Sequence, residues 1–546
     1  MNEPAIAGRF GRRPLLPRLF RQKRAPLRLL AVPRDHVQGD RARGEQLLAG
    51  TFARGRSLLP LADLDFAVVG TSGPLAGELH GFSWLRDLAA ASSSRDRGAK
   101  VAEAVAARWL LAHGTKPDAA WRADLWGERL LFWIAYAPYL LSTHDSAYRA
   151  ALLNTAARGA RHLLSTADQA LPGLPRITAW AGLNAASLLL EGGSTGIARA
   201  ESGLARALAS AQSADGGLLS RSPSEQLLLV DRLALLRTAY LAAKQQVPDV
   251  LENAATAALS ALGGVVMGDG GLGSWQWGNS GNPARVTVLV DGCGLRARAL
   301  RQAGSWGYHR LSALGTTAVI DAAAPPPSKM APLGCASTLA LEMSDGPQRL
   351  LVNCGGPGMS PADFPAELGG ALRTTAAHST LTLGDTNSTA VLADGSLGKG
   401  VTDVTVARSD GDDFSRLEAE HDGYLRRFGL LHNRGLALGN DGKELRGLDR
   451  LVPRGRKRIR GTAPFSVRFH LGPNVEATRT ADGQGAILRS PAAPPWSFRC
   501  RGGQLEVEES LWVDGGARLR STLQLSVTGE VPPEGTEVGW QFRRSS

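Results

Sequence analysis

His378 opens the run His378-Ser379-Thr380-Leu381-Thr382-Leu383, in which polar and apolar side chains alternate. Side chains on a strand repeat every two residues, so His378, Thr380 and Thr382 share one face and Leu381 and Leu383 the other. An imidazole on a polar sheet face is accessible and can exchange protons near neutrality. Arg373, just before this run, either pairs with a carboxylate in bidentate fashion or fixes the loop. His421, Tyr424 and His432 add two imidazoles and a phenol around the tetrapeptide His421-Asp422-Gly423-Tyr424. They could line the same cleft, hold a metal with Asp385 or Asp422, or stabilise a turn through hydrogen bonds. His470 alternates with Phe469 and Leu471 and reads as structural.

The elements that must position these groups change character near residue 265. Before it, Ala/Leu-rich stretches carry apolar residues at helical spacing, which predicts helices over 97–113, 122–142, 146–167, 176–191, 195–213, 222–245 and 248–262. Pro138 bends the end of the second. The run GDGGLGSWQWGNSGNP (268–283) is too rich in glycine to be helical and reads as an ordered loop carrying Trp275 and Trp277. After it the period becomes two. Residues 337–353 alternate around an Asp345-Gly346 turn, 423–438 and 443–452 flank a Gly-Asn-Asp-Gly turn, and 465–471 and 504–528 continue the pattern. The expectation is an α+β multidomain chain. It has a basic, flexible tail over 1–40, a helical domain over 41–265, a Gly/Trp-rich junction over 266–290 and an antiparallel β-sandwich over 291–546.

Composition narrows the partners. The 546 residues carry a formal net charge of +12, and all but eight of the 62 basic residues are arginine. A basic surface fits nucleic acid, an anionic membrane or an acidic polymer. No recognised DNA-binding motif accompanies the arginines, which argues against nucleic acid, and no apolar run is long enough to span a membrane. The first 34 residues hold nine basic side chains but no apolar core of the kind a signal peptide needs. This stretch reads as a free tail or as a contact for an acidic surface. The four cysteines are far apart, form no CxxC pair and read as buried free thiols.

Several segments in this order resemble one family. GYHRL (307–311), ALEMSDG (340–346), LRTTAAHSTLTL (372–383), HDGY (421–424) and HNRGL (432–436) together are similar to the second half of heparinase II/III-like proteins. DGGLLSRSPSEQLL (215–228) resembles the helical half of the same family. The resemblance implies an incomplete (α/α) toroid packed on an antiparallel β-sandwich. It also implies a polysaccharide lyase that cuts uronate-containing chains by β-elimination, in the periplasm or cell envelope, although without a clear signal peptide a cytoplasmic location stays open. Such an enzyme must neutralise a carboxylate, remove the adjacent proton and support the departing oxygen. It requires no cofactor.

By this resemblance His378 is the family's sheet histidine, acting in carboxylate neutralisation or proton transfer. Metal-binding members carry a second histidine two residues on; here that residue is Thr380, which argues against a family-type zinc site. The helical half departs further. Ala179 and Trp180 stand where active relatives place an Asn-His pair, and Glu225 stands in place of the catalytic tyrosine after Arg221-Ser222-Pro223. The expected catalytic set is therefore His378, Glu225 and Tyr424. Substrate would lie on Arg373, Arg221, His421, Trp180, Trp275 and Trp277, with Arg86, Arg122 and Arg129 as further cations. Three activities are open: elimination with a modified acid–base set, binding of an acidic polysaccharide or oligosaccharide without cleavage, or hydrolysis. Hydrolysis needs a carboxylate pair roughly 5–9.5 Å apart, to be drawn from Asp87, Asp124, Glu128, Glu225 and Asp231.

Overall fold

Alanine and leucine at helical spacing do form helices in the computed structural model, which describes residues 27–54, 57–71, 74–358, 364–455, 459 and 461–545. Arg95–His113, Ala123–Ala135, Ser146–Thr166, Leu174–Leu189, Ile197–Ala211, Pro223–Ala242 and Asp249–Gly264 follow one another as expected. Tyr136 interrupts the second, and Ala137–Leu140 makes a separate short turn of helix with Pro138 near its start. These helices build the toroid. One close crossing brings Ala123–Ala135 against Leu174–Leu189 through paired glycines. A Cβ on Gly127 would stand 2.2 Å from the Thr178 carbonyl oxygen, and one on Gly182 would stand 2.2 Å from that of Gly127.

Tryptophans fill the interior of the toroid. Trp126 lies on Gly159 and Trp180 on Gly203, each occupying the space a Cβ would need. Trp109, Trp126 and Trp133 meet edge to face at centroid distances of 5.6–6.0 Å. Part of the stretch assigned to the flexible tail is packed here. The Asp35 carboxylate accepts from Arg86 at 2.7 Å and from the Tyr136 hydroxyl at 2.9 Å, and Val37 is buried. Residues 1–26 of that tail lie outside the described residues.

The junction loop runs to Asn282. Its side chain then caps a helix, Pro283–Gly292, inside the stretch read as junction. The β half follows as two antiparallel sheets. One has eight strands in the order Glu476–Arg479, Gly485–Ser490, Ala493–Arg501, Thr536–Arg544, Glu444–Pro453, Leu430–Gly439, Phe414–His421 and Val404–Asp410. The other has nine, including Tyr308–Ala313, Thr316–Asp321, Leu341–Asp345, Gln348–Val352 and Ala463–Leu471, with Leu381–Leu383 paired to the last of these. Phe469 joins the sheets, its ring 5.5 Å from Phe498 and 4.8 Å from Trp540.

The two sheets differ in what covers them. Phe414–His421 in the eight-stranded sheet alternates buried and exposed positions, the mark of one wet face. Every residue of Thr316–Asp321, Leu341–Asp345 and Gln348–Val352 is buried. The nine-stranded sheet is therefore a middle layer, with the second sheet on one side and the toroid and junction loop on the other. All four cysteines are free and buried. Burial raises their thiol pKa values, to about 11 for Cys335 and about 12 for Cys354.

Candidate functional site

The strand expected from His378 onward starts only at Leu381. A 3-10 turn, Thr375–Ala377, precedes the histidine, and His378 Nδ1 lies 2.7 Å from the Thr374 carbonyl oxygen. That bond makes Nδ1 the donor and Nε2 the acceptor. His378 is 1% exposed. The accessible imidazole expected from the alternation is thus corrected: alternation defines two faces, and here both are covered. Burial pushes the His378 pKa down to about 4, so the ring is neutral at physiological pH. His470 is buried beside it, hydrogen-bonded to Ser510 Oγ at 2.8 Å and to the Ala376 carbonyl at 3.0 Å.

The seam between the toroid and the nine-stranded sheet is closed by Arg221. This residue sits at φ +57°, a left-handed conformation rare outside glycine. Its Nε donates to the Trp306 carbonyl and its Nη1 to the Ala324 carbonyl, both at 2.8 Å, while Nη2 pairs with the Asp321 carboxylate. The Tyr308 hydroxyl donates to the Arg221 carbonyl at 2.7 Å, and the guanidinium lies 5.0 Å from the Tyr308 ring. Behind this, Ser337 donates to Asp321 at 2.6 Å and receives from Gln276 Nε2 at 2.9 Å. The junction loop is held again where the Ser274 amide donates to Glu342 at 2.9 Å. Arg221 is consumed by the fold and is not a free substrate cation. Glu225, on the first turn of Pro223–Ala242, is partly buried, and burial raises its carboxyl pKa.

The HDGY residues are also turned inward. Tyr424 is 1% exposed and donates to the Leu381 carbonyl at 2.7 Å. The Gly423 amide donates to His421 Nδ1 at 3.0 Å; His421 Nε2 then donates to His432 Nδ1 at 3.2 Å, and His432 Nε2 to Asp449 at 2.7 Å. All four ring nitrogens are used, so no lone pair remains for a metal. Asp422 is engaged by Thr402 and the Asp403 amide. Among the described residues no group of three or more His, Cys, Asp or Glu is placed to hold a metal ion. Of the readings given to this tetrapeptide, the turn-stabilising one is what the geometry supports.

The other expected contacts are structural too. Arg373 donates twice to the Gly334 carbonyl, at 2.9 and 2.6 Å, and so fixes a loop. Trp180 is 1% exposed, with its indole N–H on Asp168 at 2.9 Å. Trp275 is fully buried against Tyr308. Trp277 alone among the expected platforms keeps partial exposure, at φ +66° with its carbonyl accepting from the Gly358 amide. Arg86 is paired with Asp35 and Asp231, and Arg122 with Asp124. Arg129 is fully buried, its guanidinium 3.9 Å from the Trp109 ring centroid and 4.5 Å from that of Trp126.

Arg434, inside the HNRGL segment, and Asp449 organise the sandwich interior, a role that neither residue type nor spacing announces. The Arg434 guanidinium donates to Asp449 at 2.7 and 3.0 Å and to the carbonyls of Leu339 and Ser379 at 2.8 and 2.7 Å. It thereby holds Asp449 well below the usual carboxylate range against the opposing effect of burial.

Six buried histidines (His80, His309, His378, His421, His432 and His470) have depressed pKa values, burial being the largest cause in each. An unfolded histidine titrates near 6.5. Between that value and about 4 the unfolded chain therefore binds more protons than the folded one. Their contribution to stability is complete above about pH 6.5 and is lost as pH falls, at up to about 1.4 kcal/mol per pH unit for each histidine. The raised carboxyls of Glu128, Glu225 and Glu342 offset part of this. The unfolding temperature is expected to drop steadily as buffers move from pH 7 to pH 5. A flat profile over that range would contradict the neutral, buried assignment.

Comparison with known proteins agrees with this architecture. Residues 295–541 match the family model described as heparinase II/III-like, C-terminal. The chain is 30% identical over 549 aligned residues to FtsZ-localized protein C of Caulobacter vibrioides, covering 95% of this chain and 91% of that protein. Among solved structures it resembles a heparinase III crystal structure at TM-score 0.70 and 11% identity, over 94% of this chain and 85% of that one. It also resembles a mutant of the heparan sulfate lyase HepC from Pedobacter heparinus at TM-score 0.60 and 13% identity, over 93% and 83% of the two chains. At these identities the structural likeness is one of fold.

Proposed function

We propose, from the premise that this chain belongs to the heparinase II/III-like family, that it binds an acidic polysaccharide without cleaving it. The fold is of the polysaccharide-lyase kind. The observation that carries the reading is the closure around His378. Elimination needs a proton-exchanging group and a cation facing the same uronate. Here the imidazole is 1% exposed, Arg221 is committed to Asp321 and to backbone carbonyls, and Tyr424 is spent on the Leu381 carbonyl. Ala179 and Trp180, in place of the family's Asn-His pair, are buried in the toroid. The net charge of +12 remains as an attraction for a polyanion.

The relative's name records a protein localised with FtsZ, and likeness over nearly the whole of both chains supports the same setting for this one. The nine basic residues within the first 34 fit attraction to an anionic surface there. Given heparan sulfate, chondroitin sulfate, hyaluronan and alginate, the protein is expected to generate no ultraviolet-absorbing unsaturated ends and to be retained by at least one immobilised polymer in a salt-sensitive way. A fluorescent fusion is expected to follow FtsZ. Steady release of unsaturated product would overturn the reading. One observation favours elimination as a second reading: Glu225 has the raised carboxyl pKa that suits a general acid. Under that reading, product forms and Glu225→Gln abolishes it.

A further inference from the structure

We infer that the acidic glycan is held on the outer face of the eight-stranded sheet, in an arginine-lined groove remote from the family's inter-domain seam. This inference rests on the binding reading above and gives it a location. Along the outward positions the strand register sets Arg416 opposite Ala437, Ala437 opposite Arg446, Arg446 opposite Gln541, and Gln541 opposite Arg499. One row therefore crosses five strands and carries an arginine on alternate strands. Neighbouring strands lie about 4.8 Å apart, so the arginines recur roughly every 10 Å along a straight line. The adjacent row runs from Glu418 through Gly435, Leu448 and Gly539 to Arg501. Its small residues open a groove of about 470 Å³ between the arginines.

The cations are pre-arranged. The guanidinium of Arg446 lies 5.2 Å from the Phe414 ring centroid and that of Arg416 lies 6.0 Å from it, so one phenyl supports both. A Cβ at Gly539 would stand 2.5 Å from Arg501 Nε, so glycine lets that side chain lie across the floor. All four arginines are exposed. Arg446, Arg499 and Arg501 have acidic neighbours in Glu444, Asp482 and Glu537, in surface ion pairs that a stronger bidentate anion can displace. Four arginines and one glutamate line the groove itself.

A glycan fits this groove better than an acidic peptide does. The groove crosses the middle of the sheet, where backbone N–H and C=O groups are spent on neighbouring strands. A peptide adds to a sheet through a free edge, and none is offered here. A floor of Gly435, Ala437, Leu448 and Gly539 carries few polar groups that could read peptide side chains. What remains is a groove with an apolar floor flanked by planar donors, which suits sugar rings bearing carboxylate or sulfate groups.

The test compares the full chain with Arg446→Glu/Arg499→Glu and with the charge-matched control Lys100→Glu/Lys116→Glu on the toroid. The probes are heparan sulfate, alginate and poly-glutamate. Intact folding of each variant is checked by its unfolding temperature, and Arg446→Gln/Arg499→Gln serves as a milder second variant. The expected result is a loss of about tenfold or more in glycan affinity for the groove variants and little change for the control. Heparan sulfate against alginate then distinguishes sulfate from carboxylate as the recognised group. Equal losses in the groove and control variants, or no loss in either, would overturn the location while leaving glycan binding intact. Poly-glutamate binding as tightly at the groove would overturn the glycan in favour of an acidic protein segment. No retention of the wild type on any glycan would remove the binding reading itself, and this inference with it.

Discussion

Arg434→Ala is expected to lower the stability of the β half by about 3–5 kcal/mol, the usual cost of stripping one partner from a buried ion pair. Both Arg434 and Asp449 are fully enclosed. Without the guanidinium, Asp449 keeps only the indole N–H of Trp540 at 2.8 Å and His432 at 2.7 Å. The Leu339 and Ser379 carbonyls would lose their shared donor as well. Denaturant unfolding followed by tryptophan fluorescence reads the loss. Replacing both Arg434 and Asp449 with apolar residues is expected to recover part of it, because most of the penalty is the unpaired charge. A single variant within about 1 kcal/mol of wild type would show that Asp449 is neutral or solvated.

Arg221→Ala is expected to cost a similar amount, about 3–5 kcal/mol, and to do so between the two halves of the molecule rather than within one. It abandons Asp321 and the carbonyls of Trp306 and Ala324. The remaining ties across this seam include Asp215, which accepts from the amides of Ser305 and Trp306 at 2.6 and 3.0 Å. Calorimetry is expected to show the toroid and sandwich melting apart in the variant and closer together in the wild type. Arg221→Lys keeps the charge but not the planar fork, and is expected to fall between the two. An unchanged melting profile in Arg221→Ala would mean that the seam is held elsewhere.

Much of this architecture was legible in the residues. The Ala/Leu spacing located the helices between residues 95 and 264 to within a few positions, because a toroid helix buries one continuous stripe, but not the shorter ones at Arg41–Leu48, Pro74–Gly81 and Trp84–Ala91. The hairpin around Asp345-Gly346 was equally plain, with strands at Leu341–Asp345 and Gln348–Val352. The environment of His378 was not, because period-two patterning shows that a strand has two faces and says nothing of what lies on each. The tryptophans failed for a related reason. An indole that stacks on a ligand and one that fills the gap above a glycine, as Trp180 does at Gly203, look the same in one dimension. The outer groove left one local trace, arginines two apart at 499 and 501. Its meaning depended on the pairing of five strands drawn from distant parts of the chain.

The four enclosed thiols have a practical consequence. Maleimides and similar reagents attack the thiolate, and these sulfurs are both buried and reluctant to ionise. A cysteine introduced at Ser409, exposed beside Arg416 on the rim of the outer sheet, would therefore label faster than the native thiols. A dye placed there could report groove occupancy in real time without first stripping the protein of its own sulfur.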